Sequence, residues 1–490
     1  GEWYTRAAMA KRPARARNDG HPLARERGTI RKEAPVRLAL GYPAPYAVGV
    51  SSLGFQTIHR LLNAAPQVSC GRFFLERNAG PGIPLTAEDR RPVADARAIA
   101  FSAACETDLL GIVDRLAAAG LPPLAAERPD SAPPVIVGGS LTALDPRLVA
   151  PLADVVVVGD GEPGLPALVE ALVGARDREE FRAFLAARPP AEGLWVPSRG
   201  GDPPPPARAD DGDLPARAVT WSPDAELRDL FLVEATRGCA RGCAFCVMSG
   251  RSAAAAGFRA VEAGAIFEGI PEDAPGVGLV GAAVTDHPDL VEIVERFVAA
   301  GKRVSLSSIR ADRLGPELAR ALVCGGLRSL TLAADGCSER LRRAVHKGIS
   351  AEHLRNAARV AADAGVRRLK LYSMVGLPGE EDADVDEFAD LVRGLDPRLA
   401  LSVAVQAFVP KPGTPLAGET MAEPKLLVRR LDRLGLALGG RARLLPTSPR
   451  WSWIDWKLAH SGESAAFAAI AAHAGGGTLA AWREALKNPV

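Results

Sequence analysis

Short apolar runs that end in glycine or other small residues, each followed by a helix-like stretch, constrain this chain more than any other feature. In the first half the runs are 36–40, 98–102, 135–137 and 155–158. They end in Gly41-Tyr42-Pro43, Ala103-Ala104, Gly138-Gly139-Ser140 and Gly159-Asp160-Gly161-Glu162, with helix-like stretches between them such as 108–119 and 166–172. An uninterrupted apolar run suits a strand buried on both faces, and such strands joined by helices build a parallel, doubly wound, Rossmann-like α/β sheet. Ligands on these sheets sit outside the carboxyl ends of the strands. Glycine there lets the backbone come close to a ligand. Gly138, Gly139, Ser140, Gly159 and Glu162 are therefore the candidate ligand edge of a first domain spanning 34–195.

The alternation returns over 229–415, with runs at 230–235, 278–284, 304–309, 327–333, 369–375 and 401–408. Helix-like stretches at 288–300, 316–323, 352–364 and 380–393 separate them. Six β/α units predict a partial (β/α)6 TIM-type barrel with its catalytic face at the carboxyl ends of the strands. Between the domains, 196–228 carries Asp202 and then Pro203 to Pro206, and reads as a semi-rigid surface linker. Residues 1–33 form a basic segment with Lys11, Arg12, Arg15, Arg17, Arg25 and Arg27, without the apolar core of a secretory signal. It is expected to stay solvated or to wrap across the domain surface. Residues 416–490, with Trp451, Trp453 and Trp456 ahead of helix-like 465–472, read as a small C-terminal α/β appendage.

Composition serves mainly to exclude. The 490 residues are 47% hydrophobic and 24% charged, which supports more than one ordinary core. A formal net charge of +2 gives no reason to expect DNA as a partner. No apolar run approaches the ~18 residues of a membrane span, so no membrane partner and a cytoplasmic location are expected. Seven cysteines in so long a chain are not a disulfide scaffold, and three of them lie within eight residues. In a reducing compartment that spacing points to metal ligation.

Those three stand in Glu234-Ala235-Thr236-Arg237-Gly238-Cys239-Ala240-Arg241-Gly242-Cys243-Ala244-Phe245-Cys246, directly after the first strand of the second domain. Thiolates suit iron–sulfur clusters or zinc. A closed structural zinc needs a fourth protein ligand, and the nearest histidine is His287. Three thiolates on a four-iron cluster leave one iron exchangeable. Cys239, Cys243 and Cys246 are the candidate metal ligands, and Gly238 and Gly242 allow backbone amides to turn toward sulfide.

The spacing CxxxCxxC, with Phe245 before the last cysteine, resembles the signature of radical S-adenosylmethionine (SAM) proteins. The chain is similar to those that carry an N-terminal cobalamin-binding-like domain. The resemblance includes 37–54 (RLALGYPAPYAVGVSSLG), 101–108 and 135–162 in the first domain. In the second it includes Ser305 to Arg310, 371–378 (LYSMVGLP) and 408–415 (FVPKPGTP). It implies a [4Fe-4S] cluster on the three cysteines, with the amino and carboxylate groups of SAM on the open iron. It implies Phe245 near the adenine, Ser307 and Arg310 near the methionyl part or ribose, and Gly376 and Leu377 along the adenine edge. Thr285 and Asp286 occupy the place of the amine-binding motif, without the usual Gly-Gly-Glu. Asp335 stands where relatives carry glutamate. Cys337 puts an extra thiol nearby, either a proton or hydrogen-atom donor or a small residue filling a tight turn.

The resemblance further implies reductive cleavage of SAM to a 5′-deoxyadenosyl radical, fed by an external one-electron reductant of the flavodoxin or ferredoxin type. The substrate, a small molecule, peptide or RNA, is not identified. The first domain reads two ways, as a cobalamin site or as a Rossmann-like scaffold. The Asp-x-His-x-x-Gly motif is missing, and His59 reads as a surface residue of a helix at 56–62. With cobalamin the implied reaction is methyl transfer to an unactivated carbon. The alternatives are an RNA-modifying enzyme without cobalamin and a non-catalytic corrin- or cluster-binding regulator. Methylthiotransfer is set aside, because the first domain supplies only Cys70 and Cys105 for a second cluster.

Overall fold

The computed structural model describes residues 23–75, 82–249 and 257–487, so Lys11, Arg12, Arg15 and Arg17 lie outside the described residues. The chain forms two compact units, Gly1–Asp229 with Lys457–Val490, and Leu230–Trp456.

The first unit is built on β1 (Val36–Tyr42), β2 (Val68–Phe74), β3 (Ala98–Ser102), β4 (Val135–Gly138), β5 (Val155–Val157) and β6 (Leu194–Trp195). Their order is β2-β1-β3-β4-β5-β6, parallel throughout except for the β5–β6 pair. The chain leaves β1 toward one edge and comes back on its other side for β3. That puts the topological switch point between β1 and β3. Helix α1 (Leu53–Ala64) starts at Ser52, whose hydroxyl accepts the Phe55 amide at 3.4 Å. Such a cap satisfies one of the open amides of a first turn. Helix α2 (Asp108–Ala118) follows β3, and α3 (Leu165–Gly174) and α4 (Arg178–Ala186) follow β5.

Three expectations for this unit need correction. Strand β2 escaped the sequence reading because Arg72 interrupts its apolar run; that arginine is fully buried against Glu26 and Glu88. His59 is not on a helix surface. It is 1% exposed, its Nε2 lies 3.0 Å from the Cys70 carbonyl, and burial pushes its pKa well down. The 196–228 stretch is not a surface spacer. Ala207 pairs with Gly159 and Trp221 with Arg27, while the Gln56 side chain accepts the Val219 and Thr220 amides at 2.9 and 2.8 Å. Arg25, from the basic segment, forms an ion pair with Asp224.

In the second unit β7 (Phe231–Glu234), β10 (Gly276–Val280) and β11 (Arg303–Leu306) form one parallel sheet. Strands β12 (Ser329–Ala333), β13 (Arg368–Val375), β14 (Ala400–Ala407) and β15 (Ala442–Pro446) form another, also parallel. A parallel bridge between Ile309 and Leu332 joins them, giving seven parallel strands in chain order, the layout of an open barrel. A short antiparallel ribbon, β8 (Thr236–Arg237) with β9 (Arg259–Ala260), follows the first strand. The connecting helices are α5 (Leu290–Ala299), α6 (Pro316–Cys324), α7 (Glu339–Ala344), α8 (Ala351–Asp363), α9 (Asp382–Arg393) and α10 (Pro424–Ala437). Alternation along β13 is strict: Leu369, Leu371, Ser373 and Val375 are buried, while Arg368, Lys370, Tyr372 and Met374 are not.

Residues 416–490 are therefore not one appendage. Helix α10 and strand β15 extend the barrel by a further β/α unit. Helices α11 (Ser464–Ala474) and α12 (Leu479–Ala485) belong to the first unit, where α11 packs on α2 through buried Ala465, Ala468, Ala469 and Ala472.

Candidate active site

The three-cysteine loop leaves the β8–β9 ribbon at Gly238, which has φ +79 and lies so close to the Gly257 carbonyl that no Cβ fits. The Ala244 amide donates to the Val345 carbonyl at 3.0 Å, tying the loop to the end of α7. The Cys246 amide donates to the Cys243 carbonyl, also at 3.0 Å. Below the loop, the Glu234 carboxylate accepts two bonds from Arg237, at 2.7 and 2.8 Å.

Cys243 is buried, and Cys239 and Cys246 are half-buried. Burial raises the Cys243 and Cys246 thiols, and the negative charge of neighbouring thiolates adds to it. Lys347 opposes the rise at both, and Arg310 does so at Cys243. The three sulfurs are thus within electrostatic reach of one another. Among the described residues no three His, Cys, Asp or Glu side chains gather as a site for a single ion. A cysteine ligates metal as its thiolate, so three of them gathered in a partly buried loop need compensating positive charge. A multi-iron cluster brings that charge and spans more room than one ion, so the donor set fits it.

The other implied residues divide into available and engaged. Phe245 is half-buried between two of the cysteines, and Ser307 is exposed just beyond β11. Arg310 does not offer an open fork, since its guanidinium bonds Asp312 at 3.0 and 3.1 Å and the Lys347 carbonyl at 3.2 Å. Asp286 is also engaged: it accepts Arg241 through both oxygens, one bond at 2.8 Å, and Arg313 at 3.2 Å. Burial works to raise its carboxyl, and the arginines outweigh that and hold it low. Its neighbour Thr285 is buried. Asp335, at φ +54, accepts the Lys347 ammonium at 2.6 Å. The Gly376 amide, expected along an adenine edge, donates to Glu380 at 2.9 Å, and Leu377 is buried. Cys337 is 1% exposed, with its sulfur 3.3 Å from the Met374 carbonyl and its thiol pushed up by burial. It fills a turn in the core and has no access as a hydrogen-atom donor.

In the first unit, Gly139 closes on the Ala103 carbonyl and Gly159 on Ala207, so both serve chain packing rather than an open ligand edge. A Cβ on Gly138 would stand 3.3 Å from Val157. The Ser140 hydroxyl donates to the Ala104 carbonyl at 3.1 Å. Glu162 opens the turn Glu162–Gly164 beside Arg60. Asp108, which the sequence reading passed over, is buried at the β3 exit and accepts the Ala104 and Cys105 amides at 2.7 and 3.1 Å. Burial pushes its carboxyl up to about 6. Lys347 was missed as well; a lone lysine after a helix carries no periodic signal.

Glu380 supplies a pH test. Burial raises its carboxyl to about 7, although the Gly376 amide and Arg430 pull it down. The native state therefore binds a proton that the unfolded chain releases near 4.5. Its contribution to stability is complete below about 4.5 and is lost as pH rises through about 7. The thermal midpoint of the wild type is expected to fall across that window relative to Glu380→Gln. Parallel curves in a calorimetric pH series would refute this.

Residues 233–392 match the model of the radical SAM superfamily, and 54–197 match that of radical SAM proteins, N-terminal. With a parallel barrel and a three-thiolate loop after its first strand, the chain is a radical SAM protein, of a family that uses a [4Fe-4S] cluster and SAM. An uncharacterized protein of Methanocaldococcus jannaschii is 32% identical over 197 residues, 38% of this chain and 41% of that protein. The chain thus spans about two fifths of that curated relative. The radical SAM methyltransferase TsrM from Kitasatospora setae, with cobalamin and a [4Fe-4S] cluster bound, matches with TM-score 0.58 and 16% identity. That match covers 93% of this chain and all of TsrM. The cobalamin-dependent radical SAM enzyme OxsB, with aqua-cobalamin bound, matches with TM-score 0.51 and 12% identity over 76% of this chain and 53% of OxsB. At such identities the likeness establishes the fold. Among the described residues no helix is long and apolar enough to cross a membrane.

Proposed function

We propose that this radical SAM protein is a cobalamin-using methyltransferase that acts on an unactivated carbon. The observation that carries the proposal is the fold shared with TsrM over 93% of the chain. The first unit contributes a doubly wound sheet with its switch point between β1 and β3. Cys239, Cys243 and Cys246 would hold the cluster, and the loops leaving β1 and β3 would carry the corrin. His59 is turned into the core, so the corrin would take no ligand from it. When bound, the reduced cluster supplies the electron that cleaves SAM, and cobalamin supplies the methyl group.

The chain's own residues hold and shield these groups. Lys347 and Arg310 offset the charge of the thiolates. Phe245 offers a ring beside the cluster loop, and the Ser307 hydroxyl stands at the exit of β11. The arginine–aspartate pairs around Asp286 and Asp312 brace the rim, so that it does not collapse when water is expelled. A one-electron donor of the flavodoxin or ferredoxin type completes the proposal.

Anaerobic reconstitution tests it, with iron, sulfide and cobalt counted and methyl-labelled SAM supplied. Retained cobalt and label in a product support the reading. Release of 5′-deoxyadenosine without cobalt or methyl transfer would leave a radical SAM enzyme and remove the methyltransferase. The competing reading, a scaffold without corrin, draws on Gly139 and Gly159, which close on their own backbone.

A further inference from the structure

Helix α7 ends in a Schellman turn. The His346 amide donates to the Arg343 carbonyl at 3.1 Å, and the Lys347 amide donates to the Arg342 carbonyl at 2.8 Å. His346 stands at φ +55, the left-handed position that such a turn usually gives to glycine. A β-carbon makes that conformation costly, so contacts around the turn must hold it. Three bonds do so. The Val345 carbonyl accepts the Ala244 amide, between Cys243 and Cys246, at 3.0 Å. The Lys347 carbonyl accepts the Arg310 guanidinium, from beyond β11, at 3.2 Å. The Lys347 ammonium donates to Asp335, just beyond β12, at 2.6 Å. The cluster loop and the exits of two further strands thus meet on the segment from Val345 to Lys347.

The Lys347 side chain is 9% exposed and that of Asp335 20%, so water screens their charges little. Burial raises the Cys243 and Cys246 thiols, and Lys347 opposes the rise at both. At Cys243 its attraction outweighs the repulsion from Asp335. The ion pair is therefore a dipole with its positive end toward the sulfurs. Reduction of a cluster held there takes one electron from the flavodoxin- or ferredoxin-type donor, which is oxidised; no bond forms or breaks and no proton moves. The negative charge added to the cluster is stabilised by a cation beside it and opposed by a carboxylate. Charge and polar groups around such clusters set their potentials.

We propose that Lys347 and Asp335 are positioning residues that set the reduction potential of the cluster, Lys347 raising it and Asp335 lowering it. The proposal rests on the cluster that Cys239, Cys243 and Cys246 would hold, and it is independent of the methyltransferase reading. It concerns how readily the cluster accepts an electron, whatever the radical then does. The Schellman turn and the bond to Arg310 fix where the ammonium stands, and Asp335 moderates its charge.

A redox titration of the reconstituted full chain, followed by electron paramagnetic resonance without SAM, measures the midpoint. Lys347→Met is expected to weaken electron uptake about tenfold, a midpoint lower by about 59 mV for a one-electron couple. Lys347→Arg keeps the charge and is expected to stay near the wild type. Asp335→Asn is expected to shift the midpoint the opposite way, upward. Asparagine is at ease at φ +54, so this variant carries the test even where Lys347→Met does not fold. Iron per chain is expected to match the wild type in all three. A midpoint unmoved in either Lys347→Met or Asp335→Asn, or shifts of the same sign in both, would overturn the proposal. Iron lost from both would also overturn it, since the pair would then hold the loop in place instead. The titration needs neither cobalamin nor substrate, so absent methyl transfer leaves it intact, and an unmoved midpoint leaves the methyltransferase reading intact.

Discussion

Cys243→Ala, reconstituted anaerobically, is expected to hold little iron and to release 5′-deoxyadenosine from SAM at least ~10³-fold more slowly than the wild type. Cys243 is the buried member of the trio, and its sulfur feels Cys239, Lys347 and Arg310. Two remaining thiolates cannot retain a cluster that needs three protein ligands and one open iron. The three act as one unit, so a second substitution, Cys239→Ala in the same chain, should add almost nothing to the loss. Cys337→Ala is the contrast. Cys337 sits in the core against the Met374 carbonyl and should cost some stability while iron content stays normal. Iron counts are the primary readout. Wild-type iron in Cys243→Ala would remove the cluster assignment, and lost iron in Cys337→Ala would overturn its role as packing.

The parts that local sequence governs were legible. A β strand buried on both faces shows as an unbroken apolar run, and 98–102 matches β3 residue for residue. The cluster loop was legible because ligand spacing is itself a local property. What failed depends on partners far away in the chain. Arg72 broke the apolar run of β2, and only Glu26 and Glu88 make an arginine tolerable there. His59 occupies a helical position open to either face, and its burial is decided by the Cys70 carbonyl on the neighbouring strand. Arg310 and Asp286 looked available for SAM because nothing local marks Asp312, or Arg241 at an intervening position of the cluster loop, as their ion-pair partners. Four prolines in a row looked like a spacer, yet the chain after them bridges to Gly159 through Ala207 and to Arg27 through Trp221.

Arg72→Met is expected to be the most damaging single change to the first unit, lowering its thermal midpoint by about 10–20 °C. Arg72 has no solvent exposure. Its Nε donates to Glu88 at 2.6 Å, and its two Nη groups donate to Glu26 at 3.1 and 2.5 Å. The Tyr46 hydroxyl and the Thr29 hydroxyl also donate to Glu26, at 2.8 and 2.7 Å. His59 adds no compensating charge, since burial keeps it neutral. One guanidinium thus balances two enclosed carboxylates and ties together the basic segment, β2 and the turn at 86–89. Removing one partner of a buried pair typically costs about 3–5 kcal/mol, because the other charge is left unmatched. Here two are left, so the upper part of that range applies, at roughly 2–4 °C per kcal/mol for a unit of this size. Adding Glu26→Gln and Glu88→Gln to Arg72→Met should recover most of the loss, since the penalty is the stranded charge and not the missing contact. A triple variant no more stable than Arg72→Met would show that Arg72 works by shape and packing instead.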